Sequence, residues 1–385
     1  MKAFETVVEA HVEFDRWLQE DALPLWWKVG ADREVGGFHE LIGQDGAALA
    51  RPRRARVQAR QIFVYAAAGR IGWNGPWRQA VRHGLDFFLA RYRRPDGLFR
   101  TLVGADGEPA DETTTIYDQA FALFALAAAA RVVPEHEKLF AIAGEVLAVM
   151  NATRRGPYAG FVEAGADPYQ CDPHMHLFEA SMALEAVGAG DVWALQADEI
   201  AELALARLID RQGGFVREIY ASDWTPAPGA AGQEVEPGHQ FEWAWLLERW
   251  GVARERADAR AAARRLYEVG AQHGVDATRH VAVDALLDDF TTADATTRLW
   301  PQTERLRAAL LLASSAEGEA RERYVANALD AAQGFAPYLQ TPVAGLWRDK
   351  LRADGEFVDE PAPASYFYHI MGALLELRAQ APTLA

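Results

Sequence analysis

A glycine followed within two residues by an aromatic ring recurs along the chain at Gly37-Phe38, Gly97-Leu98-Phe99, Gly160-Phe161, Gly214-Phe215 and Gly345-Leu346-Trp347. From one glycine to the next the steps are 60, 63, 54 and 131 residues. The last step is about twice the others, so one copy is degenerate, placed near His280 to Asp284, and six units of about 64 residues fill the chain. Each unit reads as a short β-turn element followed by two helices. An open helical solenoid repeats at 30 to 45 residues and ends in polar capping units, and neither is seen here.

The two helices of a unit differ in kind. Trp77, Val81, Leu85, Phe88 and Tyr92 share one face, with Arg78, Arg82, Asp86 and Arg93 opposite, which marks a surface helix. Segments 136–152, 192–210, 254–272 and 317–337 read the same way. The other kind opens on polar or aromatic residues and then turns apolar on every side, as in Tyr117-Asp118-Gln119 leading into Ala120 to Ala130, so protein must surround it. Six hairpins with buried inner helices close most simply into an all-α (α/α)6 barrel with short β-turn elements at one mouth. No Pro- or Ser-rich linker divides the chain, and residues 1–385 are expected to form a single domain.

Half the residues are hydrophobic and 24% are charged, a composition that can bury a large core. With 39 basic and 55 acidic residues the net charge is −16, which repels a phosphate backbone or an anionic membrane. The expected partner is a small neutral or polar molecule, with no nucleic acid and no membrane; self-association is compatible with the sequence. Cys171 is the single cysteine, so no internal disulfide and no thiolate-rich metal site can form, and a reducing compartment is expected. Met1 to Glu20 lacks the apolar core of a signal peptide, and the run Ala120 to Ala130 is too short to cross a bilayer. A soluble, cytoplasmic protein is the expectation.

Conspicuous polar residues stand near the start of each inner helix: Arg60, Asp118, His176, His239, Glu304 and His369. One per repeat at equivalent depth would gather all six around one mouth of the barrel. Inner-helix N-termini at that mouth would aim backbone N–H groups at a ligand and favour negative charge developing on oxygen. His239 and Glu242, like His176 and Glu179, are three apart on one helical face, so the carboxylate could orient the imidazole or raise its pKa. Arg60 stands where an arginine-rich stretch turns apolar, and a lone guanidinium there needs a partner such as a substrate oxygen. His174 and His176, two apart, point in different directions on a helix and cannot easily share an ion, so no metal is expected. Trp224, Trp300, Trp347, Tyr117 and Phe121 read as core, with some near the mouth available to stack on a sugar ring.

The segments Gln58-Ala59-Arg60, Tyr117-Asp118-Gln119-Ala120-Phe121, Met175-His176-Leu177-Phe178-Glu179-Ala180, Pro237-Gly238-His239-Gln240-Phe241-Glu242-Trp243, Leu299-Trp300-Pro301-Gln302-Thr303-Glu304 and Tyr366-Phe367-Tyr368-His369 together resemble the N-acylglucosamine 2-epimerase superfamily, which includes cellobiose 2-epimerases and mannose isomerases. The resemblance runs through nearly the whole chain and implies an (α/α)6 barrel that moves a proton next to a sugar carbonyl without a cofactor. It implies His239 and His369 as the acid/base pair and Arg60 as the group that holds substrate oxygens. His176, Glu242 and Glu304, with Asp118, Glu179 and Trp300, would line the pocket. Histidine suits the task because its ordinary pKa, about 6.5, lets it take and return a proton near neutral pH. Gln58-Ala59-Arg60-Gln61 lacks the tryptophans that many epimerases carry around the arginine, so the mannose isomerase branch is the closer likeness. Interconversion of mannose, or a close relative such as its 6-phosphate, with fructose through a cis-enediolate is expected. Epimerisation at carbon 2 is the alternative. Inverting glycoside hydrolysis, which would use Asp118 with Glu304, is a third reading, and a non-catalytic sugar-binding protein a fourth.

Overall fold

A computed structural model describes residues 4–384; the outermost ends of the expected 1–385 domain lie outside the described residues. Twelve helices dominate the described residues. Six are inner: α2 (Ala55–Arg70), α4 (Ile116–Ala130), α6 (Cys171–Ala186), α8 (Pro237–Ala253), α10 (Leu299–Ser314) and α12 (Phe367–Gln380). Six are outer: α1 (Val7–Arg16), which runs on through π-helical turns to Gly30, then α3 (Trp77–Arg91), α5 (His136–Thr153), α7 (Val192–Leu203), α9 (Ala257–His273) and α11 (Gly318–Phe335). Each inner helix packs on the next and α12 packs on α2, so the inner ring closes. This is the expected (α/α)6 barrel.

The sixth hairpin is built from the two ends of the chain, because α12 packs on α1. Trp26 stacks on Trp347 across this seam at 4.5 Å, and the strand Leu41–Ile42 pairs antiparallel with Ala362–Pro363. Such stacking adds about 0.5–1.5 kcal/mol beyond area burial. Short two- and three-residue strands likewise link neighbouring repeats at one mouth, as Arg53–Arg54 with Leu102–Val103 and Thr297–Arg298 with Lys350–Leu351. The outer helices fall close to the predicted spans. α9 begins at Ala257 rather than 254 because Glu255 adopts a left-handed φ of 56° that no helix continues through.

The repeat has a physical cause. In four units a glutamine in the first turns of the inner helix grips one residue of the preceding loop through both backbone groups: Gln58 with Phe38, Gln119 with Phe99, Gln240 with Val216 and Gln302 with Ala282. His174 takes the same place in the third unit, its Nε2 accepting from Phe161 N at 2.9 Å. In the first and third units glycine directly precedes the gripped residue, because a Cβ on Gly37 would lie 2.6 Å from the Gln58 oxygen and one on Gly160 would lie 2.6 Å from His174 Nε2. Both also have positive φ. The degenerate copy falls where the spacing put it: His280 occupies the left-handed position with φ 60°, two residues before Ala282.

Candidate active site

The first turns of the inner helices converge on a cavity of about 550 Å³. Arg56 and Arg60 face it from α2, Tyr117 from α4, Asp172 and His176 from α6, His239 and Glu242 from α8, Trp300 from α10 and His369 from α12. The glutamine grips fix the register of these helices. Two residues beyond each grip stand Arg60, Phe121, His176, Glu242 and Glu304, so these are the equivalent positions. Asp118 and His239 each stand one residue before a grip and belong to a different row.

That offset separates their fates. Asp118 turns away from the cavity, accepting hydrogen bonds from Thr101 and Thr115 at 2.7 Å and pairing with Arg56 at 3.1 Å. It braces the start of α4 and does not line the pocket. His239 lines it, with Nδ1 at 2.7 Å from Glu218. His369 lies beyond the Trp300 indole, whose centroid is 5.1 Å from the His239 ring and 5.5 Å from the His369 ring. His369 Nδ1 is at 2.8 Å from Glu304, which sits fully buried behind it. In both histidines a carboxylate engages Nδ1, so Nδ1 carries a proton and Nε2 is left for the cavity.

The two imidazoles are driven apart in pKa. Burial opposes a charge on His239, but Glu218 and Glu236 outweigh it and raise this histidine well above the usual value. Burial, reinforced by Arg60, His176 and Arg307, holds His369 well below it. The shifts bias His239 toward the protonated form, with a proton to give, and His369 toward the neutral form, which can take one. Glu242 is pushed well above the carboxylate range by burial and by Glu304 and Glu179, and neither of its oxygens has a hydrogen-bond partner among the described residues. These influences bias it toward the protonated form, which can donate to a ligand oxygen. Asp172 is the opposite: despite its burial, His176, His239 and Arg60 hold it down at about 2.

Arg60 is 5% exposed and has no ion-pair partner among the described residues. Its guanidinium donates to Tyr117 Oη at 2.9 Å and Ser365 O at 3.3 Å and lies 4.2 Å from the Phe121 centroid and 5.1 Å from that of Tyr368. Aromatic faces thus hold a cation without cancelling it, leaving its charge for an oxyanion.

The model of the N-acylglucosamine 2-epimerase family matches residues 36–373. The chain belongs to that family. It is 49% identical over 370 residues to the "Mannose-6-phosphate isomerase" of Rhizobium meliloti (strain 1021), covering 95% of this chain and 96% of that protein. Among solved structures, the cellobiose 2-epimerase of Spirochaeta thermophila superposes with a TM-score of 0.87 at 19% identity, covering 98% of each chain. A D-mannose isomerase superposes at 0.85 and 20% identity, covering 98% of this chain and 99% of that one. The protein is an enzyme of the isomerase and epimerase kind.

Within this family frame the His-x-x-Glu pairings dissolve. Glu242 does not orient His239; Glu218 does. Glu179 does not touch His176 but pairs with Arg307 at 2.8 Å and accepts from Tyr368 Oη, below the pocket floor. His176 is held by Asp172 at 3.1 Å, with burial lowering its pKa. His174 and His176 do diverge: His174 Nδ1 donates to Gln170 O at 2.8 Å, and burial brings that ring down to about 4. Trp300 and Tyr117 line the cavity, whereas Trp224 and Trp347 are core.

Glu218 escaped the sequence reading, although a signal for it exists. Two residues after four of the five gripped residues the chain carries Glu40, Glu163, Glu218 and Asp284, with Thr101 in that place after Phe99, and Asp349 stands two after Trp347; all five carboxylates are buried. Glu40, Glu218 and Asp284 accept from the backbone N of Arg54, Glu236 and Arg298, just ahead of the inner helices that follow. Glu163 does the same for Ile116 and Tyr117 of α4. A carboxylate there satisfies orphan N–H groups and suits the positive end of the helix. At Glu218 this structural acid also holds a pocket histidine.

Proposed function

We propose that this enzyme is an aldose–ketose isomerase that interconverts mannose and fructose through a cis-enediolate. The observation that carries the reading is the pair of histidines on one cavity, one biased toward the protonated form and one toward the neutral form, beside an arginine with no direct ion-pair partner among the described residues. Such a split between neighbouring titratable groups separates an acid from a base. His239 donates its Nε2 proton to the ring oxygen and takes back the proton of the carbon-1 hydroxyl, which opens the pyranose to the free aldehyde. His369 Nε2 then takes the proton from carbon 2, and the negative charge spreads over the oxygens on carbons 1 and 2. Arg60 and Glu242, in its protonated form, face that charge as it develops. Return of the same proton to carbon 1, with the hydroxyl proton on oxygen 2 passing to oxygen 1, gives the ketose. Permanent positive charge from Arg60 supplies what a Lewis acid would otherwise supply, and Arg307 beside Glu304 repels a divalent ion from the His369 side, so we infer a reaction without metal or cofactor. Activity is expected to survive EDTA unchanged. Loss in chelator, restored by one divalent metal, would overturn that inference.

The rim favours a free sugar. Arg56 and Arg298 are paired with Asp118 and with Glu236 and Asp284, and Arg54 is bound by Glu40, while Glu163, Asp172 and Asp349 also face the cavity. The same composition and the single cysteine support a cytoplasmic enzyme working as one domain. Mannose and its 6-phosphate are offered separately in heavy water, and products and deuterium are followed by NMR. Fructose is expected, with deuterium at carbon 1 to the extent that His369 exchanges its proton before returning it. Glucose labelled at carbon 2 and formed faster than fructose would establish the epimerase alternative. No product from either substrate would refute both.

The opposed pKa shifts fix a pH profile. kcat/KM rises through the titration of His369, below the ordinary histidine range, and falls through that of His239, above it, giving a broad plateau. Glu218→Gln removes the main carboxylate that raises His239, so the alkaline limb moves toward neutrality while the acid limb stays. An unmoved alkaline limb would show that His239 is not the acid.

A further inference from the structure

At the opposite mouth, where the inner helices end, a second cavity of about 420 Å³ opens. Arg70, Arg131, Arg249 and Arg307 line it together with two carboxylates, Glu179 and Glu376. Glu179 is taken by Arg307 and Tyr368, and Glu376 accepts from Trp245 Nε1 at 2.9 Å and Gln380 Nε2 at 2.8 Å. Arg70, Arg131 and Arg249 have no ion-pair partner among the described residues. Arg131 reaches only the Ala186 carbonyl, at 3.4 Å, and Arg249 lies 4.3 Å from the Trp245 centroid. Buried Arg307 also faces this cavity, and its Nε has no hydrogen-bond partner.

Arginines at helix C-termini can simply offset the dipole. That role explains neither their convergence on one cavity nor their mutual cost. All three of Arg70, Arg131 and Arg249 stand exposed at the cavity mouth. Partial desolvation and Arg307 lower the pKa of Arg249 against the pull of Glu376 and Glu179, and partial desolvation and Arg70 lower that of Arg131, in a chain with 55 acidic and 39 basic residues available to arrange otherwise. The remaining wall is apolar, from Phe63, Phe124, Leu311 and Leu375. A volume of this size matches a small-molecule site, and a guanidinium fork recognises carboxylate or phosphate.

We propose that this far cavity is a second ligand site, which binds a small organic anion whose carboxylate or phosphate head meets Arg131 and Arg249 and whose apolar body rests on the phenylalanines. The full-length protein is titrated with 8-anilinonaphthalene-1-sulfonate by fluorescence, and octanoate, octanol and inorganic phosphate are added as competitors. One equivalent of probe is expected to bind, displaced by octanoate at least tenfold better than by octanol or phosphate. Arg249→Ala and Arg131→Glu should each weaken probe binding at least tenfold while leaving turnover of sugar unchanged. Probe binding that is the same in parent and variants, with only the melting temperature altered, would assign the arginines to helix ends alone and overturn the proposal. Equal competition by octanol and octanoate would overturn it as well, since the head group would then count for nothing.

Discussion

His369→Asn is expected to lower kcat by about two to four powers of ten, the range for losing a general base. Asparagine can keep a donor toward Glu304, as the imidazole Nδ1 does at 2.8 Å, so the buried carboxylate stays satisfied and the pocket keeps its shape. What it lacks is a basic nitrogen. His239→Asn should cost a similar factor for the opposite reason, because the position near Glu218 then has no proton to donate. The two losses should not multiply: with ring opening already stalled, removing the carbon base adds little. KM for the sugar should change much less than kcat in both variants, since the histidines act on charge that appears in the transition state. Unchanged far-ultraviolet circular dichroism would confirm that each variant folds. If both stay within threefold of the parent, the acid/base roles pass to His176 and Glu242, the other titratable pair on the pocket wall.

Much of this architecture is readable from sequence because the repeat has a local cause. A glycine, a gripped residue and a helix-borne glutamine lie about twenty residues apart, so each unit records its own geometry, and even the degenerate copy at His280 keeps the count. The inner helices declare themselves by being apolar all round. Side-chain direction within the first turn is harder to read. Asp118 and His239 stand at the same point of their repeats, yet one braces a helix start and the other faces a ligand, because Thr101 and Thr115 meet Asp118 where Glu218 meets His239. Partners from another loop decide the matter, and no periodicity within the helix carries that information. Glu218 lies 21 residues before His239 in an irregular segment, and only the alignment of all six units makes its place visible. Pro237-Gly238 begins α8, with proline at the first helical position and glycine admitting the Trp300 indole, whose nearest ring atom would lie 2.3 Å from a Cβ there.

Arg307→Met should be the most destabilising of the substitutions considered, at about 3–5 kcal/mol, the usual cost of removing one partner from a buried ion pair. The guanidinium is 5% exposed, bonds Glu179 at 2.8 Å and Glu304 at 3.3 Å, and packs 3.3 Å from the Trp245 centroid. Methionine fills much of the volume but leaves two carboxylates inside the barrel without their cation, close to Glu242. For a chain of 385 residues the loss corresponds to a fall of about 4–6 °C in melting temperature. Its pH dependence identifies the cause. Burial already raises Glu304 in the parent, and the variant removes the arginine that opposes that shift, so the folded state binds more protons than the unfolded chain and stability declines as pH rises through the acidic range. Relative to the parent, the deficit should therefore be smaller at pH 5 than at pH 8. Glu179→Gln added to Arg307→Met removes one orphaned charge and should recover part of the loss, a non-additivity that a simple packing defect would not produce. A pH-independent deficit without such rescue would mean that the arginine serves through its contact with Trp245 rather than through its charge.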